Sequence, residues 1–404
     1  MMPANRPTQR PATARLLYVD AHGAIRHAPR SQFVNLLRPG DLVIANDAAT
    51  LPASLLGVHA RTGRSIEVRL AGKPSLAHRD VQRFIAVAFG AGDFRTRTED
   101  RPPPPVFEAG DELELGSLSA RVERVLGHPR LLALRFEAEV DELWRGLATH
   151  GRPIQYAHLS EPLSLWDVWT SIAGTPVAYE PPSAGFVLDW QMLADFEARG
   201  IEFATLTHAA GISSTGDPEL DRMLPFDEPY RIPVATEEAI AAALCEGRRI
   251  VAIGTTVVRA LEHSAATFGS VAAGESVANL RIGAETQLRV VDVILSGTHE
   301  PGTSHYELLQ AFADKAALLR ADDALESAGY RTHEFGDSVL IERDSRRYSR
   351  LAGSGIEAGD FPENQGLVGR RTPRILRRFA PAPAHVVQES HRLSPARRLL
   401  CLRD

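Results

Sequence analysis

The chain has 404 residues, of which 44% are hydrophobic and 24% are charged, and its formal net charge at pH 7 is −6. This composition is typical of a globular protein with one large core or two unequal ones, and its two cysteines exclude a disulfide framework. The acidic charge argues against a non-specific nucleic-acid binder, and because no apolar run is long enough to span a membrane we expect a cytoplasmic location.

The N-terminal part of the chain predicts two strands of a buried sheet. Residues 15–20 form an apolar run typical of a strand, and a helical or turn segment follows at 31–37. Residues 42–45, Leu-Val-Ile-Ala, predict a second buried strand that ends at Asn46 and Asp47. We therefore expect both segments in the core of the main domain.

The sequence changes character between residues 58 and 150. Short alternating runs at 66–70, 84–88 and 131–136 are separated by glycine, proline and aspartate, as in a small antiparallel β-barrel. We interpret 58–150 as an inserted β-barrel domain. The main domain then comprises 1–57 and 151–344, and an arginine-rich extension occupies 345–404.

Beyond Gly151 the pattern alternates between helices and strands. Helices are predicted near 190–200, 236–247 and 306–319, and strands at 203–206, 250–253 and 289–295. This alternation predicts an α/β domain with a mostly parallel sheet and crossover helices, whose ligands bind at the carboxyl ends of the strands.

One such strand end carries the sequence Gly254-Thr255-Thr256. A short apolar strand precedes it and a helical pattern follows it, so the first backbone N–H groups of the helix would face open space. That corner suits a polar or anionic small molecule. The alternative is an ordinary turn in which Thr255 or Thr256 caps the helix.

A second corner of the same kind runs from Ser296 to His305. It follows the predicted strand 289–295 and precedes a helix, and His299 lies at its mouth. A histidine there is suited to proton transfer near neutral pH, although it could equally be a loop histidine bonded to backbone. The spacing of His299 and His305 across a proline does not favour metal binding.

Two further segments have weaker signals. Proline and small residues follow Glu180 up to Gly185. This segment could let a ligand approach the backbone closely, or it could be an ordinary connecting loop. Residues 330–341 predict a strand entered through a Gly-Asp turn, for which a hairpin is a sufficient interpretation.

The C-terminal extension has an unusual charge composition. From Ser345 onward it contains twelve arginines, no lysine and five acidic residues. It could be a basic arm for RNA or a solvated tail. The apolar pairs within it favour the tail, because they could dock it on the body of the protein.

Short motifs follow one another from Arg15 to Ile341. They comprise Arg15-Leu16-Leu17, Pro39-Gly40-Asp41, Asn46-Asp47, Leu51-Pro52-Ala53, Thr62-Gly63, Glu67-Val68, Pro182-Ser183-Ala184-Gly185, Gly254-Thr255-Thr256, Arg259, Leu261-Glu262, His299, Pro301-Gly302-Thr303-Ser304, Tyr330-Arg331 and Gly336-Asp337. Taken together, they resemble the S-adenosylmethionine:tRNA ribosyltransferase-isomerases of queuosine biosynthesis. The matches are collinear, and the inserted β-rich segment lies where that family has its β-barrel.

The resemblance implies a reaction in which S-adenosylmethionine donates its ribosyl group to a 7-aminomethyl-7-deazaguanine base in tRNA. The product is epoxyqueuosine, and adenine and methionine leave. It implies S-adenosylmethionine as co-substrate, tRNA as a partner, and no metal or redox cofactor. His299 is the expected catalytic residue, and the expected substrate-binding residues are Asn46, Asp47, Ser183, Ala184, Gly185, Gly254, Thr255, Thr256, Arg259, Thr303, Ser304 and Asp337.

The chain also departs from the family pattern, mainly at the site. Ala49 and Ser54 stand where the family has basic residues, and Thr207 stands where it has a histidine. The chain therefore resembles a divergent member or paralogue. It could retain the family reaction, act on another acceptor, or be a non-catalytic nucleoside- or RNA-binding protein on the same fold.

Overall fold

The structure is a computed structural model that describes residues 1–344. The arginine-rich extension lies outside the described residues, so both interpretations of it stay predictions. Among the described residues, no helix is both long and apolar enough to cross a membrane.

The strands and helices follow one another along the described chain without repeats. The strands are β1 Met2–Pro3, β2 Arg15–Val19, β3 Ile25–Pro29, β4 Leu42–Asn46, β5 Ala49–Thr50, β6 Ser54–His59, β7 Arg64–Gly72, β8 Arg83–Phe89, β9 Glu112–Leu115, β10 Leu118–Val125, β11 Leu131–Phe136, β12 Pro176–Ala178, β13 Glu202–His208, β14 Glu228–Ile232, β15 Ile250–Ile253, β16 Gly274–Ala278, β17 Val293–Gly297, β18 Arg331–Thr332 and β19 Ser338–Glu342. The α-helices are α1 Val140–His150, α2 Leu165–Val168, α3 Trp190–Ala198, α4 Pro218–Asp221, α5 Val234–Cys245, α6 Thr255–Phe268, α7 Ser304–Leu309 and α8 Lys315–Ser327, and 3-10 turns occupy Arg30–Leu36, Thr98–Asp100 and Ser183–Val187.

A large mixed sheet forms the centre of the main domain. Its strand order is β16-β14-β13-β4-β15-β17-β19-β2-β3. The central strands β13, β4, β15 and β17 run parallel, and β14 and β16 pair antiparallel at one edge. At the other edge β19 pairs antiparallel with β17 and parallel with β2, and β3 pairs antiparallel with β2. The expected α/β fold is confirmed, with antiparallel strands flanking the parallel centre.

Both faces of the parallel strands are buried, which explains their continuous apolar sequences. In β4, Leu42 and Ile44 contact the core that α5 and α6 cover, while Val43 and Ala45 contact the core that α3 covers. Since successive side chains of a strand point to opposite faces, a strand covered on both sides needs apolar residues at every position.

The inserted segment forms a closed six-stranded barrel, as predicted. The strands β10, β11, β8, β7, β6 and β9 pair in that order and close on themselves. The first barrel strand begins at Ser54 and the last ends at Phe136. Helix α1 follows the barrel and contributes Leu143 and Leu147 to its core.

Three local expectations differ from the structure. Strand β17 begins at Val293, later than residue 289, because the Glu262 carboxylate accepts the backbone N–H groups of 289–291 in place of a neighbouring strand. The helix expected at 306–319 is two helices, and the Asp314 side chain caps the second by accepting from Ala317 N. Residues 330–341 do not form a hairpin, since β18 pairs with β1 and β19 pairs with β17 and β2.

Candidate functional site

A cleft opens at the carboxyl ends of three parallel strands. It encloses about 930 Å³, part of which is open solvent, and the segments that follow β13, β15 and β17 contribute to its walls. Open α/β sheets bind their ligands at this edge. The sequence-predicted residues that line the cleft are Ser183, Ala184, Gly254, Thr255, Thr256, Arg259, His299 and Ser304.

Gly254 forms the corner between β15 and α6. Its φ of +96° and ψ of 153° belong to a backbone region that only glycine occupies readily. No side chain caps the first turn of α6 and no acidic residue lies in it, so neither Thr255 nor Thr256 acts as the helix cap. The uncapped N–H groups and the positive end of the helix dipole favour an anionic ligand group at this point.

His299 lies at the second corner, as the sequence indicates. Its Nε2 is 3.0 Å from the Ser296 hydroxyl, and its ring stacks on His305 with centroids 4.7 Å apart. Burial, with smaller contributions from His305 and His333, lowers the pKa of His299 well below its usual value. The imidazole is therefore uncharged at neutral pH and has a nitrogen lone pair for a proton, although burial makes it a weaker base than a free histidine.

Glu180 lines the cleft, although its sequence context predicts no role for it. Burial is the main cause that raises its pKa to about 7, and Glu334 adds to the effect. The Tyr156 hydroxyl donates to the Glu180 carboxylate and also lies 3.0 Å from Ser214 O. A carboxyl group that is partly protonated at neutral pH can serve as a general acid or base.

An ion pair between Glu228 and Arg259 forms the floor of the cleft. The Glu228 carboxylate accepts from the Arg259 guanidinium and from Gly211 N, the latter at 2.6 Å. Burial lowers the pKa of Arg259 to about 10, so the guanidinium remains charged. His208, buried beneath this pair, has its Nε2 3.5 Å from the Glu228 carboxylate. Arg259 thus lines the cleft while its charge is already matched by Glu228.

Asn46 and Asp47 lie beneath the cleft and do not line it. The Asn46 amide donates to His208 O at 2.9 Å and reaches Thr256 Oγ1 at 3.4 Å. The Asp47 carboxylate accepts from the hydroxyls of Thr205 and Thr207. Both side chains bind protein groups, and they position β4, β13 and the start of α6.

Three other expected binding residues have structural contacts instead. Gly185 is buried, and a Cβ there would lie 3.0 Å from Thr170 Cγ2. Thr303 caps α7, since its hydroxyl accepts from Tyr306 N. Asp337 accepts from Arg15 N, the Arg15 guanidinium and Arg331 N, and so ties the turn before β19 to β2. The structure does not bring these three to the cleft.

Several cleft residues were not predicted from the sequence. Glu180 lies in the proline-rich loop, and Ser296 and His305 are the two ends of the second corner. The others come from segments without a local signal and include Gly211, Ser213, Glu228, Arg281 and Glu307. Only the two corners have a sequence pattern that points to an open edge.

Known proteins resemble this chain over most of its length. The sequence model of a family described as queuosine biosynthesis protein matches residues 1–341. An S-adenosylmethionine:tRNA ribosyltransferase-isomerase of Sorangium cellulosum is 33% identical over 84% of this chain and 94% of its own length. The S-adenosylmethionine:tRNA ribosyltransferase-isomerase of Anaeromyxobacter sp. is 31% identical over 83% of this chain and 94% of its own length.

A solved structure also resembles the chain. It is the S-adenosylmethionine tRNA ribosyltransferase of Thermotoga maritima, which is 23% identical and aligns with a TM-score of 0.44 over 84% of this chain and 96% of its own.

Proposed function

From its membership of the S-adenosylmethionine:tRNA ribosyltransferase-isomerase family of queuosine biosynthesis, we propose that this chain transfers the ribosyl group of S-adenosylmethionine to a tRNA base. The acceptor is the aminomethyl group of a 7-deazaguanine. The ribosyl unit rearranges to the epoxide of epoxyqueuosine, and adenine and methionine are released. The convergence of Glu180, His299 and the uncapped start of α6 on one cleft carries this proposal.

The donor would bind along the two corners. The methionine carboxylate suits the N–H groups at the start of α6, with the hydroxyls of Thr255 and Thr256 beside them. Ser304 on the opposite corner suits a ribose hydroxyl. Ser183 and Ala184 line the cleft beside the Gly254 corner, and the Ala184 methyl lies 3.5 Å from where a Gly254 Cβ would be. A nucleoside bound at this corner would therefore contact them.

The reaction requires two proton transfers that these side chains can supply. A base must take a proton from the ribose carbon bonded to sulfur, whose positive charge acidifies that C–H bond. The bond to adenine breaks more easily if an acid protonates the leaving base. We assign the first transfer to His299, uncharged at neutral pH, and the second to Glu180, whose pKa is about 7. Neither transfer needs a metal or redox cofactor.

Release of adenine tests the proposal directly. The protein is incubated with S-adenosylmethionine and tRNA that contains the aminomethyl-deazaguanine, and free adenine is measured by chromatography. We expect release that depends on both substrates, with ribosylated tRNA detected by mass spectrometry. Release with only a different acceptor would identify a paralogue with another substrate. Tight binding of S-adenosylmethionine without any release would instead indicate a non-catalytic protein and contradict the proposal.

The Gly254 corner gives a second prediction. Gly254→Ala is expected to lower the free energy of unfolding by about 1–3 kcal/mol, because alanine is strained at this backbone conformation. It should also weaken S-adenosylmethionine binding, since the helix N–H groups must shift to relieve the strain. Denaturant unfolding and calorimetric titration measure the two effects.

Gly269→Ala is the matched control. Gly269 ends the same helix with a φ of +83°, and a Cβ there would meet no atom within 4 Å. The control should destabilise the fold and leave binding unchanged. Equal binding losses in both variants would show that Gly254 acts only through stability.

A further inference from the structure

Three side chains with metal-binding atoms meet beside the cleft, in a group to which the proposed reaction assigns no role. They are His158, His333 and Glu334, and one ligand atom from each lies within 4.8 Å of the others. The His158 Nε2 and a Glu334 carboxylate oxygen are 3.1 Å apart. Ligands bonded to one tetrahedral zinc ion at about 2.0–2.1 Å lie roughly 3.3 Å from one another. One pair already has this separation, and small side-chain rotations would bring the third ligand to it.

The two imidazole rings lie face to face. The rings of His158 and His333 stack with centroids 4.3 Å apart and planes inclined by 16°. Because a metal ion binds along the nitrogen lone pair in the plane of the ring, one ring must turn out of this stack for both to bind the same ion beside the Glu334 carboxylate. Neutral imidazole is a ligand suited to zinc, iron and nickel, and a carboxylate completes a common three-ligand set.

The fold holds these side chains in place. His333 has a φ of +67°, a left-handed conformation that no other non-glycine residue adopts in the described part of the chain. Phe335, just beyond Glu334, stacks on Phe186, and Leu159, next to His158, is buried in the same apolar cluster. Only 10% of the His158 side chain and 16% of the Glu334 side chain are exposed. Strained backbone at a partly buried polar cluster is typical of a functional site.

We propose that His158, His333 and Glu334 form a binding site for one divalent transition-metal ion, with Zn²⁺ as the representative ion. Three protein ligands leave at least one coordination position for solvent or another ligand. The ion would connect the segment before α2 to the turn between β18 and β19. His333 and Glu334 are close enough to influence His299 and Glu180 electrostatically, so the ion would lie next to the cleft.

The sequence predicts no metal here because the three ligands are not close together along the chain. His158 and Glu334 are 176 residues apart along the chain. Sequence patterns for metal sites depend on ligands a few residues apart, and His333 and Glu334 alone do not form one.

Metal binding to the full chain tests the site. The protein is treated with a chelator, dialysed and titrated with ZnCl₂ by calorimetry, and bound zinc is counted by mass spectrometry. We expect one tight site per chain, with little binding of Mg²⁺ because imidazole ligands favour transition metals. His158→Ala and Glu334→Gln should each weaken that site by at least about 10-fold.

His128→Ala is the matched control. The His128 Nε2 lies 3.4 Å from the Asp217 carboxylate, so it is a histidine–carboxylate pair outside the proposed site. The control should bind zinc like the wild type. Zinc affinity that is unchanged in the His158 and Glu334 variants would overturn the proposal, since the ion would then bind elsewhere.

A crystal of the zinc-loaded wild type gives a result that does not depend on the variants folding. Anomalous scattering at the zinc absorption edge should show a peak between His158, His333 and Glu334. A zinc peak elsewhere, or none, would contradict the assignment whether or not the protein releases adenine.

Discussion

Glu180→Gln is expected to reduce turnover by about 10²- to 10⁴-fold, the usual contribution of a general acid. Glutamine keeps the size of the side chain but cannot donate the proton that adenine needs on departure. Calorimetric binding of S-adenosylmethionine should change little, so the loss should appear in kcat and not in KM. An unchanged kcat would remove Glu180 from the mechanism.

The pH profile gives an independent test of the same role. An acid works only while protonated, and because the pKa of Glu180 is about 7, kcat/KM should fall as the pH rises above about 7. Glu180→Gln should remove this alkaline limb from the remaining activity. No acidic limb is expected near neutral pH, because burial holds the pKa of His299 well below its usual value.

Tyr156→Phe tests whether the alkaline limb reports the titration of Glu180. The Tyr156 hydroxyl donates to the Glu180 carboxylate, and that hydrogen bond stabilises the ionised form. Its removal should raise the pKa of Glu180 further and move the alkaline limb to higher pH. A limb that stays in place, or moves to lower pH, would show that another group titrates.

His299→Ala is expected to reduce turnover by about 10²-fold or more, because it removes the base that takes the proton beside sulfur. The groups proposed to hold the donor, at the start of α6 and at Ser304, are unchanged in this variant, so S-adenosylmethionine binding should remain. Single-turnover release of adenine from the tRNA-bound enzyme measures the chemical step. A rate equal to that of the wild type would exclude proton transfer by His299.

His78→Ala is a matched control for this substitution. His78 is also a stacked imidazole, with its ring 4.7 Å from the ring of Trp144, and it is not a residue of the cleft. The control should retain wild-type turnover. If both variants lost activity to the same extent, the His299 effect would reflect folding or stability.

Much of the fold could be predicted from local patterns. Continuous apolar runs such as 42–45 and 250–253 indicated strands buried on both faces, and alternating runs indicated the barrel. One error came where a distant side chain replaces a regular partner. Glu262 binds the backbone of 289–291, which therefore lies outside the sheet, and no pattern within those residues could indicate this.

The site was predictable only in part, because a local pattern does not show which side chains the fold directs to the cleft. Gly254 and His299 follow strands of a parallel sheet, so their position at the carboxyl edge follows from sequence order. Asp337 and Thr303 share collinear matches with the family, yet their side chains bind Arg15 and the start of α7. A motif identifies a segment as part of the family, but it does not say which atoms that segment directs to the cleft.

The sequence alone determined the α/β domain with an inserted barrel and the two strand–helix corners, because these depend on periodicity and on residue order, and its collinear motifs indicated the family. Only the tertiary structure decided that Glu180 has a pKa near neutral and that it shares a cleft with His299. Desolvation and the meeting of distant segments are properties of the packed chain. Burial is the main cause of the raised pKa of Glu180, and it arises only when segments far apart in sequence pack around the carboxyl group.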